Sequence, residues 1–331
     1  MSPATDRVHF RYPSGFEQRK SPIMKYSKNR NRKIRLLLSA LFFLLFSECQ
    51  PGHSDLDLSM YQYRDTRDLV RFVYDAARVL QKNGLSSIDY FRNNRSLYKQ
   101  KNYYLYVYSL DGTNLFHAGM PELEGRNLLL ATDKNGKMIT GMILRAIENP
   151  VNPHGWVHYT WWEPGKFYPV PKSSCHFKVI TPEGKELFVG GGIDYPQEEK
   201  EFIRIVVDDA VSIFERQGMA AVNEIADPTS EYNYREVRVF AFQSDGSMLI
   251  SPVMNERFQK MSIVGCVDEV GHKPFDKALK RLEQRESVWE VFLAKSRFKR
   301  GLIKKCLYLR KTMLEDSVVY VGAVTDLPEP P

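Results

Sequence analysis

The sequence predicts a mixed α/β protein in the α+β sense: two domains of one plan, each a long N-terminal helix followed by an antiparallel sheet of about five strands. Three observations lead there. The chain has 331 residues, room for about two domains. Its composition, 43% hydrophobic, 12% aromatic and 26% charged, is that of a folded protein rather than a disordered or fibrous one. Most of the chain also reads as a sequence that occurs twice. The stretch from Tyr104 to Phe116, built round Asp111 and Gly112, returns as Val237 to Ile250, built round Asp245 and Gly246, 134 residues later.

The first element is a targeting segment. Residues 1–35 hold ten of the 47 basic and two of the 40 acidic residues, leaving 37 and 38 for the rest of the chain, which is therefore close to neutral. The formal net charge of +7 thus belongs to the N-terminus, and nucleic acid is not expected as a partner. An apolar run from Leu36 to Phe46 follows, rising about 16 Å as a helix against the roughly 30 Å of a hydrocarbon core. A basic flank before a short apolar core is how a secretory signal is built, and its proportions fit a start at Met24 better than one at Met1. Cys49 stands where a bacterial lipoprotein carries its lipid, although Glu48 occupies a place where a small residue is expected. Ordinary signal cleavage and a retained anchor are the alternatives. The other cysteines, Cys175, Cys266 and Cys306, have no metal-ligand spacing and read as packing residues.

The first repeat opens with an amphipathic helix, in which Leu69, Phe72, Val73, Ala76, Val79 and Leu80 fall on one face. Gly84 ends it, and Gly218 ends its counterpart. Two strands then flank the Asp-Gly turn, a pair disposed to tight hairpins because both residues tolerate positive φ. A second helix is expected over 137–148, and over 273–285 in the second repeat. Three further strands close each repeat, two of them joined through the turn from Thr181 to Lys185. The repeats meet near Asp194 to Glu199, giving expected domains at 57–195 and 196–327 after a signal within 1–49. An antiparallel sheet of this kind can carry helices on one face and leave the other for a ligand.

The residues of the first repeat resemble the Cache family, extracytoplasmic sensing domains of PAS-like fold, and in particular its single-Cache type 2 pattern. The likeness lies in the strand ending at His117, the stretch from Met120 to Asn127 leading to Asp133, the strand Gly155 to Trp161 with Pro164, the Lys172 strand and the terminal Gly190 to Ile193. Cys175 departs from a usual tyrosine and Asp194 from a common aromatic, so both are expected to alter what the pocket accepts. The second repeat resembles the family more weakly. It keeps the Asp245 turn, Trp289 and the strand from Lys305 to Tyr308, and lacks counterparts of His117 and the Trp156 motif.

A pocket for a small carboxylate, amino acid or amine needs an aromatic wall and a few polar groups. Trp156, Tyr159 and Trp161 lie along one predicted strand, where Tyr159 and Trp161 share a face, and Lys172, His117 and Tyr106 bring donors from neighbours. Lys172 would select an anion, Asp133 or Asp194 an amine. No nucleophile elbow, P-loop, dinucleotide glycine pattern or metalloprotease helix occurs, so neither covalent chemistry nor a cofactor is expected. His158 and His176 could meet across adjacent strands, the weak case for a metal. Between Lys295 and Lys311 eight basic residues stand without an acid, which reads as a solvated hairpin or, less simply, a surface for anionic headgroups.

The function expected is reversible binding of a small organic molecule outside the cytoplasm, with the signal passed to a membrane-bound receptor. Periplasmic or cell-surface tethering by lipid or signal anchor goes with it. The alternative is an envelope structural or protein-interaction module with self-filled pockets. Deletion of residues 1–48 is expected to leave a protein that folds cooperatively in a thermal melt; loss of that transition would contradict the targeting reading.

Overall fold

The computed structural model describes residues 56–100, 102–163, 165, 167–251, 262–295 and 301–327. The expected signal segment and the expected lipidation at Cys49 lie outside the described residues. Helix α1 (Arg64–Asn83) turns Leu69, Val70, Val73, Ala76, Ala77 and Leu80 inward, so that of the predicted face Leu69, Val73, Ala76 and Leu80 are buried and Phe72 and Val79 half-buried. Gly84 stops it at φ 68°, donating its N–H to the Leu80 carbonyl. A short helix that the sequence did not disclose follows, α2 (Ser86–Asn93). Strands β1 (Tyr103–Ser109) and β2 (Asn114–His117) flank the Asp111–Gly112 turn, where Gly112 has φ 90°. Helix α3 (Ile139–Ala146) then leads to β3 (Val157–Trp162), β4 (Pro169–Ile180) and β5 (Glu186–Asp194).

Helix α4 (Lys200–Gln217) starts the second half, followed by the short α5 (Ala221–Ala226), again unforeseen. Strands β6 (Asn233–Tyr234), β7 (Val237–Gln243) and β8 (Met248–Ile250) precede helix α6 (Pro274–Leu282). Strands β9 (Ser287–Lys295), β10 (Leu302–Leu314) and β11 (Ser317–Asp326) complete the chain. The first sheet has the order β2-β1-β5-β4-β3. The second is six-stranded, one more than expected: β7-β11-β10-β9 with both β6 and β8 paired to β7. The extra strand is the two-residue β6, too short to leave a period-2 signal.

β5 is the middle strand of the first sheet and holds Gly190, Gly191 and Gly192 in succession. A Cβ on Gly191 would stand 2.7 Å from Val73 Cγ2, so α1 rests directly on the backbone there. On the opposite face, Cβ atoms on Gly190 and Gly192 would strike Tyr106 and Lys172. α1 thus covers one face of the sheet and α3 the other. α4 is buried nearly all round because it serves two partners. Tyr308 of β10 donates to Asp208, while Phe202 packs at 4.6 Å on Trp156 and at 4.8 Å on His158 of the first half. One apolar cluster accordingly runs from Leu58 through to Ala323. Of the basic run, Lys305 pairs with Asp326, Arg310 with Asp208 at 3.3 Å and Lys295 with Glu269 at 3.5 Å. Among the described residues no helix is long and apolar enough to cross a membrane.

Gly191→Ala is expected to lower stability by about 1–3 kcal/mol, the usual cost of overpacking, read as a shifted urea midpoint at unchanged slope.

Candidate ligand-binding site

The α3 face of the first sheet is built by alternation. Tyr104, Tyr106 and Tyr108 of β1 point to it, because Tyr106 lies opposite Gly190 and Tyr104 opposite Gly192, whose absent side chains leave room for the rings. His117 of β2 pairs with Tyr106, and their rings stack at 5.6 Å. Tyr159 and Trp161 come from β3, Phe188 from β5, and Ile139, Thr140 and Ile143 from α3. The space they enclose is about 30 Å³, room for about two waters.

The polar groups have fixed roles. Lys172 crosses Gly192 to reach Tyr104, with Nζ 3.2 Å from its hydroxyl, 4.4 Å from its ring centroid and 2.5 Å from Asp194. The pair forms because Lys172 and Asp194 are directly opposite across β4 and β5. His176 Nδ1–H donates to the Gly155 carbonyl at 2.7 Å, so Nε2 accepts from Tyr106 at 2.9 Å. His117 Nδ1 accepts the Met120 N–H at 2.9 Å, which places the ring proton on Nε2. Burial, with the charges of Lys172 and Arg95, pushes His117 down to about 3. Burial also raises Tyr106 and Tyr159, so both phenols stay protonated, with the Tyr106 O–H already given to His176. The lining therefore presents O–H and N–H groups, beside one paired ammonium.

Of the predicted residues, Tyr106, His117, Tyr159 and Trp161 line this space. Lys172 and Asp194 stand beside it, joined to it through Tyr104. Trp156 does not share it. Three residues from Tyr159, it falls on the other face of β3, donating from Nε1 to Tyr61 at 2.7 Å. Asp133 is spent elsewhere: it accepts from the Asn135 and Lys137 N–H groups and from the Thr160 N–H and hydroxyl. Cys175 sits opposite Gly191 on the α1 face, so its departure from the family's tyrosine does not bear on this pocket. His158 and His176 point to opposite faces, since His158 pairs with Ser173, and among the described residues no cluster fit for a metal occurs. The sequence reading missed Tyr104, Tyr108, Phe188 and α3. The period-2 tyrosines of β1 were the available signal.

The corresponding face of the second sheet is packed with rings. Phe240 and Phe242 stand 134 residues after Tyr106 and Tyr108, and Phe275 of α6 lies 6.2 and 6.4 Å from them. Lys305 and Asp326 repeat the directly opposite register of Lys172 and Asp194, but at a more exposed position.

The Cache domain family model matches residues 74–322. The chain belongs to the Cache domain family. Among solved structures, a periplasmic sensor domain of a chemotaxis protein is 28% identical, with 40% of this chain and 94% of that one covered and a TM-score of 0.32. A Cache chemosensory domain described for carboxylic acid recognition is 16% identical, with 51% and 100% covered and a TM-score of 0.30. The ligand-binding domain of the Pseudomonas aeruginosa PAO1 amino acid chemoreceptor PctB, in complex with L-Arg, is 11% identical, with 79% and 87% covered and a TM-score of 0.27. A search of curated proteins finds no match.

Among the described residues the Cache fold buries four neutral histidines: His117, His154, His158 and His176. Burial lowers all of them, His154 and His176 to about 4. The unfolded chain binds these protons near pH 6.5 and the folded one only far below, so stability falls as pH drops from about 6.5 toward 4, by up to about 1.4 kcal/mol per pH unit for each histidine. Urea unfolding across that range measures the slope, and His117→Gln is expected to flatten it.

Proposed function

We propose that this chain is an extracytoplasmic Cache sensor that binds a small carboxylate or amino acid reversibly on the α3 face of its first sheet and performs no covalent chemistry. The observation that carries the reading is the contrast between two equivalent faces. The first is lined by tyrosine hydroxyls, the His117 imidazole and the neighbouring Lys172–Asp194 pair; the second is filled by Phe240, Phe242 and Phe275. Donor groups in an apolar wall suit an acceptor such as a carboxylate, and Lys172 supplies the charge. Asp194 provides the matching contact for an ammonium, which extends the range to amino acids and amines. A ligand larger than the present space enters by lifting α3 and the residues 128–131 that close it.

In this reading residues 57–195 are the ligand-binding domain and 196–327 a second Cache-like domain. Export depends on the N-terminal segment, with Cys49 as the lipid-bearing residue, and the signal goes to a membrane-bound receptor. The small volume favours one rival, an interaction module whose pocket is filled by its own side chains. Thermal-shift screening of carboxylates, amino acids and amines, followed by calorimetry, separates the two. With a carboxylate, Lys172→Ala is expected to cost about 2–5 kcal/mol of binding, while Lys305→Ala leaves it unchanged. Equal losses mean two working pockets, a loss for Lys305 alone places the ligand in the other domain, and no binding across the panel supports the interaction module.

A further inference from the structure

A second cavity, of about 440 Å³, lies where the free edge of β3 meets the β6–β7 turn of the second half. Tyr159 lines both this cavity and the pocket under α3, and Lys172, which stands beside that pocket, lines this one. Five cations line it, Lys134, Lys137, Lys172, Arg235 and Arg238, and no aspartate or glutamate does among the described residues. Two of them are compensated: Lys172 by Asp194, and Arg235 by Glu198 at 3.0 Å. Lys134, Lys137 and Arg238 take part in no ion pair among the described residues.

Lys137 is the most constrained. Its ammonium is buried, 3% of the residue being exposed, and donates to the carbonyls of His158, at 3.3 Å, and Asn233. The charges that act on it are Asp133, Glu231 and Arg238, and burial outweighs the two acids, lowering it to about 8. Both acids are engaged elsewhere, Asp133 by Asn135, the Lys137 N–H and Thr160, and Glu231 by a bidentate contact with Arg145. Arg235 opens the two-residue turn between β6 and β7, which accounts for its φ of 47°. Its Nε is sealed from solvent without a hydrogen-bond partner, and its other nitrogens hold the Pro196 carbonyl and Glu198. His158 and Tyr234, stacked at 4.0 Å, supply a flat wall.

We propose that this cavity is a second ligand site, adjoining the pocket under α3 at Tyr159 and Lys172, for a small polyanion: a di- or tricarboxylate, or a phosphate-bearing molecule of similar size. The volume lies in the range of small-molecule sites. Three cations without an ion-pair partner are what a carboxylate or phosphate group satisfies. Because the lining comes from both sheets, an occupant favours the arrangement in which the β3 edge and the β6–β7 turn are held together, and Lys134 and Arg238, which line this cavity and not the α3 pocket, distinguish the two sites.

Calorimetric titration of the full chain with citrate and with inorganic phosphate, at constant ionic strength and with glycerol as the uncharged control, tests it. One-to-one binding of either anion at up to millimolar concentration is expected, weakened by added salt. Lys134→Gln, at an exposed position, and Arg238→Gln, at a half-buried one whose guanidinium also donates to Asn233 at 3.2 Å, should each weaken it about tenfold or more at an unchanged thermal midpoint, while Lys280→Gln, a charge-matched change on α6, should not. The anion that binds more tightly identifies the carboxylate or the phosphate source. Binding of neither, or binding that both lining variants leave unchanged, overturns the proposal.

Discussion

The first sheet depends on how closely other groups can approach its middle strand. Gly190, Gly191 and Gly192 leave β5 bare on both faces, so α1 seats Val73 and Leu69 on one side while Tyr106 and Lys172 lie flat on the other. The reach of Lys172 to Tyr104 and the stacking of Tyr106 on His117 both follow from that absence of side chains. In the second sheet only Gly322 occupies the comparable stretch of β11, and phenylalanine and leucine side chains fill the space around it. The same strand order therefore yields a hydroxyl-lined face in one half and a hydrocarbon-packed face in the other.

The edge of the first sheet joins the halves. An unpaired edge strand exposes N–H and C=O groups that must be satisfied or covered. In β3 the Thr160 N–H goes to Asp133 and the His158 carbonyl to Lys137, four residues apart on one loop. Lys137 also holds Asn233 of β6, so the loop that finishes the first sheet grips the second half. α4 adds to the connection through Phe202, packed between Trp156 and His158, and through Asp208, which meets Tyr308 of the second sheet. This loop leads directly into α3, which roofs the first pocket, so a displaced α3 pulls on the contacts that join the halves.

Much of this was legible in the sequence. The helix periodicity of Leu69 to Leu80, the stops at Gly84 and Gly218 and the Asp-Gly turns are local signals, and the elements they predict are present. The short helices α2 and α5 and the two-residue β6 carry too few residues to show a period. The site was half legible. Tyr159 and Trp161 share a face by strand alternation, but the same rule puts Trp156 behind them, a consequence hidden when the motif is read as one aromatic strand. Asp133 looks like a ligand-binding acid until the fold brings Thr160 against it, a tertiary contact that no spacing discloses. The Lys172–Asp194 pair depends on the register set by the turn from Thr181 to Lys185, and register follows from pairing rather than from either strand alone.

Hydrogen–deuterium exchange of the full chain, with and without the tightest small carboxylate or amino acid found, tests most directly the claim that the first sheet holds the ligand pocket. The account predicts new protection in 139–146 and 157–162, the roof and wall of that pocket. Protection confined to 274–282 and 287–295 would contradict it.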